Sequence, residues 1–258
     1  MGQKIVFLDI DGTILDHDKQ IPPASKDAIA QLQESGIIVS IATGRAPFMI
    51  QEILKELNLN TYISFNGQYA VHNGEVIYHN PISDKLLSEL TDYSVKEGHP
   101  LVYQSVDDMR SSVSDHPHII ESMGSLKLDH PLVDIDYYRN NAIYQVLVFN
   151  EAEEQRKYEA DFPDLRFVRW HPFSSDVLPG IGSKANGIKE CIEALNIDWE
   201  DTYAFGDGLN DLEMIQAVHT GVAMGNGVQE VKEVASLVTD DVDQDGLSKA
   251  MRKLSLIK

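Results

Sequence analysis

Two aspartates, Asp9 and Asp11, follow a short apolar segment near the start of the chain, in the sequence DIDGT. In an extended chain, residues two positions apart project to the same side. Two carboxylates placed in this way can share a magnesium ion and one phosphate group, because proteins commonly hold magnesium with one or two carboxylates plus water and phosphate oxygens. On its own, however, a DxD sequence is more often a solvated loop, so further groups are needed to support this chemistry.

A second acidic loop, GDGLND, could complete such a site. Asp207 would supply a further acidic ligand for the metal, and Asn210 and Asp211 lie in the same polar loop after a predicted buried strand. A surface turn would also account for this composition. The combination of DIDGT with GDGLND is therefore more informative than either sequence alone.

Phosphate-binding groups are present in two other places. Thr43 and Gly44, in the sequence ATGR, offer a hydroxyl and backbone N–H groups that can hold a phosphate oxygen, although they could equally be a helix cap. Lys184 precedes a predicted helix and would bring the positive charge that a transferring phosphoryl group requires, although a lone lysine is usually solvated. Arg45 could approach the phosphate, but a structural ion pair explains it equally well, and it is left outside the catalytic set.

The segments around these residues predict a parallel sheet. Apolar runs with the length of buried strands alternate with segments of helical periodicity. The strands are at 4–8, 37–42 and 62–65; between them, one helix opens with Pro22 and Pro23 and finishes before Gly36, and another spans 47–57. Parallel strands need helical crossovers, so this order indicates an α/β doubly wound sheet, whose ligands gather at the carboxyl ends of the strands. The polar loops described above all follow predicted strands or begin a predicted helix.

The alternation stops at the hairpin signal Asn73-Gly74 and resumes after Ser183. Residues 1–81 and 183–258 are therefore expected to form one discontinuous doubly wound core, and residues 82–182 an inserted α+β domain. The predicted elements of the insert are helices near 84–96, 117–125 and 151–160 and strands near 101–104, 142–149, 166–169 and 176–178. After it we expect helices at 185–195 and 246–254, a further helix after GDGLND, and strands at 202–205 and 221–224.

Composition excludes several classes of partner. The formal net charge of −20 repels nucleic-acid phosphates and anionic membrane surfaces, so neither is expected to bind. The single cysteine, Cys191, cannot form an internal disulfide, which indicates a reducing compartment. Because no segment is long enough for a signal-peptide core or a membrane span, we expect a cytoplasmic protein.

The motifs, taken together, resemble a known family. DIDGT, Thr43, Lys184 and GDGLND look like all four motifs of the haloacid dehalogenase (HAD) superfamily, which has a Rossmann-like core. The position and size of the insert, and the sequence FNGQYA containing Asn66 and Gly67, resemble the Cof-type subgroup of phosphatases with a large α+β cap. The resemblance covers essentially the whole chain; it is specific in the core motifs and only topological in the cap.

The resemblance implies a role for each matching residue. Asp9 would be the nucleophile that forms an aspartyl phosphate, and Asp11 the general acid and base. The ligands of a Mg²⁺ cofactor would be the Asp9 carboxylate, the Asp11 backbone carbonyl and Asp207, with Asp211 orienting them. The groups that would hold the phosphoryl oxygens are the backbone N–H of Ile10, Thr43, Gly44, Lys184 and Asn210.

The expected function is magnesium-dependent hydrolysis of a small phosphorylated metabolite, such as a sugar phosphate or a nucleotide. The cap is expected to close over the site and select the leaving group, while Trp170, His171 and Asp176 near its end are given no role. One alternative is a phosphomutase or other phosphotransferase of the same superfamily, which shares both aspartates of DIDGT. A less favoured one is a regulatory protein that binds a phosphorylated metabolite. A dehalogenase would not need a metal, so the presence of both Asp11 and Asp207 disfavours that activity. The sequence leaves the oligomeric state open.

Overall fold

A computed structural model describes residues 2–258, and its first part alternates strands and helices as expected. Helix α1 begins with Pro23 at its first position, where the missing N–H is not needed, and the chain leaves it through Gly36 at φ +75°. The segment 47–57 is not one helix: a single 3₁₀ turn at Pro47–Met49 precedes α2. The elements are β1 (Ile5–Leu8), α1 (Pro23–Glu34), β2 (Ile38–Ala42), α2 (Gln51–Glu56), β3 (Tyr62–Ser64), β4 (Tyr69–His72) and β5 (Glu75–His79).

The middle of the chain forms a second set of elements. Its first helix is capped at both ends, because the Ser83 hydroxyl accepts a hydrogen bond from the N–H of Leu86 and Gly98 ends the helix in the left-handed conformation. The elements are α3 (Asp84–Glu97), β6 (Leu101–Gln104), β7 (Met109–Ser111), α4 (Pro117–Ser125), β8 (Gln145–Val148), α5 (Ala152–Asp161), β9 (Leu165–His171) and β10 (Ser174–Pro179).

The last part returns to alternation. Its elements are α6 (Lys184–Leu195), β11 (Thr202–Gly206), α7 (Leu212–Ala217), β12 (Thr220–Ala223), α8 (Gln229–Val234), β13 (Leu237–Val238) and α9 (Gly246–Lys253). Across residues 2–258, no helix combines the length and the apolar character needed to cross a membrane.

An eight-stranded sheet organises the first and last parts, in the order β13-β12-β11-β1-β2-β3-β4-β5. Pairing is parallel from β13 to β3 and antiparallel for the last two strands. Strand β1 is central: Leu8 pairs with Phe205 on one side and Ile41 on the other. The loops that follow β1, β2 and β11 therefore leave the same edge of the sheet, and the predicted doubly wound α/β fold is confirmed.

The two faces of this sheet bury separate hydrophobic cores. Val6 and Leu8 pack with residues of α1 and α9 on one face, whereas Ile5 and Phe7 pack with residues of α6, α7 and α8 on the other. All four of these β1 side chains are fully buried. A strand buried on both faces reads as a continuous apolar run, which is why the sequence IVFL identified it.

The inserted elements form their own antiparallel five-stranded sheet in the order β7-β6-β8-β10-β9. One face packs against α3 and α5 around Tyr103 and Tyr158, and the other packs against α4 around Phe149. Contacts within the chain divide it into two compact units. The first comprises the chain up to residue 45 with 49–79 and 183–258, and the second comprises 46–48 and 80–182.

Candidate active site

The loop after β1 carries Asp9 and turns back at once. The N–H of Asp9 donates to the carbonyl of Phe205 at 3.0 Å, which ties the start of the loop to β11. Ile10 buries its side chain in the core, and its carbonyl accepts the hydrogen bonds that close the turn. Gly12 has φ +84°, and a Cβ at this position would overlap the carboxylate of Asp207. Glycine therefore allows the loops after β1 and β11 to approach closely.

Lys184 lies between two carboxylates at the start of α6. Its helix begins after Ser183, whose hydroxyl accepts a hydrogen bond from the N–H of Asn186 at 3.2 Å. The Lys184 Nζ donates to Asp9 Oδ1 at 2.5 Å and to Asp211 Oδ1 at 2.6 Å, and its side chain has no exposed surface. A buried ammonium needs such partners, so this lysine is not the solvated residue that its type usually predicts.

Asp9, Asp207 and Asp211 could together hold a metal ion, since one ligand oxygen of each lies within 4.8 Å of the others. Asp211 uses both of its oxygens inside the protein, because its Oδ2 accepts from the N–H groups of Asp207 and Gly208 at 2.9 Å each. Asp207 accepts only longer hydrogen bonds, of 3.3 Å from the Thr13 hydroxyl and 3.4 Å from the Asn226 amide. Asp9 and Asp207 are thus the carboxylates best able to bind a cation, with Asp211 shaping the loop.

The electrostatics of this cluster favour a cation. Burial raises the pKa of Asp9 well above its usual value, and the nearby Asp211 carboxylate raises it further, against the opposing effect of Lys184. Burial and Asp211 likewise raise the pKa of Asp207 to about 6. Burial lowers the pKa of Lys184, but the two carboxylates outweigh it and raise the value. One ammonium group faces three carboxylates, so a divalent cation fits the remaining negative charge.

Asp11 has a different environment from Asp9. The Arg45 guanidinium contacts both oxygens of the Asp11 carboxylate, with Nε to Oδ2 at 2.9 Å and Nη2 to Oδ1 at 2.7 Å, and Lys19 Nζ donates to Oδ1 at 2.7 Å. Burial alone would raise the pKa of Asp11, but Arg45 and Lys19 together lower it. Arg45 is therefore an ion-pair partner inside the site. Its position directly after Thr43-Gly44 at this edge of the sheet was the available signal for its presence there.

The loop after β2, which carries Thr43 and Gly44, is held by the turn at Phe65–Asn66. The sequence motifs assigned this turn no role in the site. The N–H of Asn66 donates to the carbonyl of Thr43 at 3.0 Å, and the Asn210 amide donates to Asn66 Oδ1 at 3.4 Å. A Cβ at Gly44 would meet the Asn66 amide at 2.9 Å. Phe65 and Asn66 have φ of +51° and +50°, which is rare for a large side chain and marks a turn fixed by its surroundings. Asn66 therefore links two of the loops that are predicted to bind phosphate.

The histidines of the inserted unit do not form a metal centre. Within residues 2–258, Asp9, Asp207 and Asp211 are the only group of three or more acidic, histidine or cysteine side chains whose ligand atoms lie close enough to share a metal ion. His118 stacks on Phe173 with ring centroids 4.3 Å apart and lies edge-on to His116 at 5.1 Å. Burial, followed by the neighbouring His118 and His130, lowers the pKa of His116. Trp170 packs on the hydrophobic core beside α4.

Comparisons with known proteins agree with this geometry. The family model described as haloacid dehalogenase-like hydrolase matches residues 6–251. YkrA of Bacillus subtilis (strain 168) is 50% identical over 258 residues, covering 100% of both chains. The structure of BT1666, a HAD-superfamily phosphatase from Bacteroides thetaiotaomicron, has a TM-score of 0.92 and 28% identity, covering 99% of this chain and 96% of that one. The structure of BT4131, a sugar phosphatase of HAD subclass IIB, has a TM-score of 0.87 and 30% identity, covering 99% of this chain and 100% of that one.

The motifs, the doubly wound core and the buried cluster of aspartates around Lys184 thus occur in a chain whose full length matches these proteins. The chain belongs to the haloacid dehalogenase superfamily, and within it to the phosphoric monoester hydrolases.

Proposed function

We propose that this protein is a magnesium-dependent phosphatase of small phosphorylated metabolites that forms an aspartyl phosphate on Asp9. The observation that carries the proposal is the contact between Lys184 and Asp9 inside a cluster of three carboxylates, of which Asp9 and Asp211 are buried and Asp207 is half-buried. A buried carboxylate with one oxygen held by a lysine has the fixed orientation that covalent catalysis requires. Sugar phosphates are the first substrates to test, because the structural relative BT4131 is a sugar phosphatase.

Charge compensation decides whether Asp9 can attack. Its raised pKa favours the protonated, non-nucleophilic form, with burial as the largest cause. Mg²⁺ held by Asp9, Asp207 and the backbone carbonyl of Asp11 would supply positive charge that keeps these carboxylates ionised and neutralises the phosphate oxygens. Lys184 supplies part of this positive charge from the protein itself, because its ammonium contacts Asp9 Oδ1.

The reaction then needs two steps on this chain. An oxygen of Asp9 forms a bond to phosphorus while the bond to the departing alcohol breaks, and Asp11 gives that alkoxide a proton. Water next attacks the aspartyl phosphate; Asp11 takes its proton, and inorganic phosphate leaves as Asp9 is regenerated. The contacts of Asp11 with Arg45 and Lys19 suit the second role directly, since the carboxylate there is ionised. For the first role, a proton must replace the contact with Arg45.

The phosphoryl oxygens would be held by Thr43, Gly44, Lys184, Asn210 and the N–H of Ile10. The turn at Phe65–Asn66 supports this arrangement because it fixes both the loop of Thr43 and the amide of Asn210. The lone thiol of Cys191 is buried, which fits action in a reducing, cytoplasmic compartment.

The direct test is phosphate release over a panel of sugar phosphates and nucleotides, with and without Mg²⁺. The native protein is compared with Asp9→Asn and with the matched control Asp27→Asn, an exposed aspartate of α1. We expect Mg²⁺-dependent release by the native protein and the control, and none by Asp9→Asn. Equal release by Asp9→Asn would overturn the nucleophile assignment. Transfer to another sugar hydroxyl, with dependence on a bisphosphate activator, would identify a phosphomutase instead.

A further inference from the structure

A fourth loop, residues 224–228, lies beside the three loops of the predicted site. It follows β12 in the sequence MGNGV, and the N–H of Val228 donates to the carbonyl of Asp207 at 2.9 Å. A Cβ at Gly227 would lie 3.1 Å from the Asp207 Cα, so the absence of a side chain there lets the loop pack against the backbone of the metal-binding residue. The sequence patterns gave this loop no role.

The side chain of Asn226 connects three segments of the core. Its Oδ1 accepts a hydrogen bond from the N–H of Val242 at 2.9 Å, and its Nδ2 donates to the carbonyl of Gly12 at 2.8 Å and to Asp207 Oδ2 at 3.4 Å. A backbone N–H can only donate, so the contact with Val242 fixes which end of the amide is the oxygen. The nitrogen must then face Gly12 and Asp207.

These contacts bear on both halves of the proposed metal site. Asp207 is a carboxylate ligand, and Gly12 directly follows Asp11, whose backbone carbonyl is the other candidate ligand of that loop. We propose that Asn226 is a positioning residue for the metal site: it orients the Asp207 carboxylate and holds the loop of Asp11 at the distance that Mg²⁺ requires. This rests on the proposed function. Groups that orient metal ligands in this way typically change metal affinity by about 10–100-fold when removed.

Thr13 supports the other side of the same carboxylate, with its hydroxyl 3.3 Å from Asp207 Oδ1. Asp207 is thus held between a hydroxyl and an amide, one on each oxygen. Asn226 could instead serve only to stabilise the protein by connecting these loops. Metal affinity distinguishes this structural role from the positioning role, because loss of a purely structural contact lowers the stability of the protein without changing how tightly the folded protein binds Mg²⁺.

The experiment uses the full chain without substrate. The Mg²⁺ dissociation constant of Asn226→Ala is measured by titration calorimetry, and the melting temperature of the metal-free protein is measured alongside it. The matched control is Thr239→Val, which removes a hydrogen bond of 2.8 Å from the Thr239 hydroxyl to the Gly246 carbonyl, away from Asp207. We expect about 10–100-fold weaker Mg²⁺ binding for Asn226→Ala and native affinity for Thr239→Val, even if both variants melt earlier.

Native Mg²⁺ affinity in folded Asn226→Ala overturns the positioning role, whatever its melting temperature. If Asn226→Ala does not fold, Asn226→Ser, which leaves a smaller cavity but cannot span the same three partners, is judged by the same criterion. If the native protein releases phosphate only with Mg²⁺ while the variant binds Mg²⁺ normally, the proposed function stands and the positioning role fails. If the native protein binds no Mg²⁺ at all, both fail.

Discussion

Lys184→Met should destabilise this protein strongly at neutral pH and much less at acidic pH. The substitution keeps an unbranched apolar side chain only one atom shorter and removes the ammonium that lies 2.5 Å from Asp9 and 2.6 Å from Asp211. At these distances each attraction is about 6 kcal/mol for an effective dielectric constant of 20. The burial penalty of the charges offsets most of this. Removing one partner of a buried pair therefore costs about 3–5 kcal/mol in practice.

The direction of the pH dependence follows from the remaining carboxylates. The pKa of Asp9 in the folded protein is already raised by burial and Asp211, and loss of Lys184 removes the main opposing effect. A carboxyl whose pKa is higher folded than unfolded contributes stability below its unfolded value, and that contribution is lost as pH rises towards the folded value. The variant should therefore unfold most easily at pH 7 and recover as Asp9 takes up a proton.

The measurement is thermal unfolding of the metal-free protein at pH 5 and pH 7. At pH 7 a loss of this size corresponds to about 6–20 °C in the melting temperature of a protein of this length. Lys189→Met is the matched control, because Lys189 is on the same helix, 70% exposed, and 3.9 Å from Glu193. It should change the free energy of unfolding by less than about 0.5 kcal/mol. A Lys184→Met variant as stable as this control at pH 7 would refute the account of the buried cluster.

Three further predictions concern the metal site and Asp11. The affinity for Mg²⁺ should fall as the pH decreases through about 6, because the pKa of Asp207 is raised to about 6, the pKa of Asp9 is raised as well, and only the carboxylates bind the metal; calorimetry from pH 5 to 8 checks this, and a flat profile contradicts it. Gly12→Ala should lose phosphate release and Mg²⁺ binding, because the added Cβ would overlap Asp207. The control is Gly36→Ala, which has a similar positive φ but open space around it and should cost only about 1–2 kcal/mol of stability. Arg45→Ala should raise the pKa of Asp11 and move the pH–rate profile for an alkyl phosphate to higher pH; an unshifted profile would show that Arg45 does not control the ionisation of Asp11.

Most elements were predictable because their signals are local. The helices at 84–97 and 117–125 carry their own caps or a first-turn proline, and the strand at 101–104 is an apolar run bounded by turns. The elements that were missed are short: β13 has two residues, β7 has three, and α8 buries only Val231. These short elements form because their backbone pairs with, or packs against, neighbouring elements, and the periodicity of the sequence does not reveal such neighbours. For the same reason the apolar segment 142–149 was predicted as one strand, whereas only Gln145–Val148 pairs with neighbouring strands as β8.

The sequence by itself determined the residue types and spacings of the four motifs, and with them the superfamily, the doubly wound sheet and the loops that are expected to carry the chemistry. It could do so because strand ends and glycine turns are local features. Only the tertiary structure decided which residues these side chains contact. Lys184 contacts Asp9 across 175 positions of the chain, and Asn226 contacts Gly12 across 214. Such contacts depend on which strands become neighbours, and that is set by the packing of the whole core. For this reason the same sequence that named the aspartates predicted an ion pair for Arg45 without its partner, and left Asn66 and Asn226 without a role.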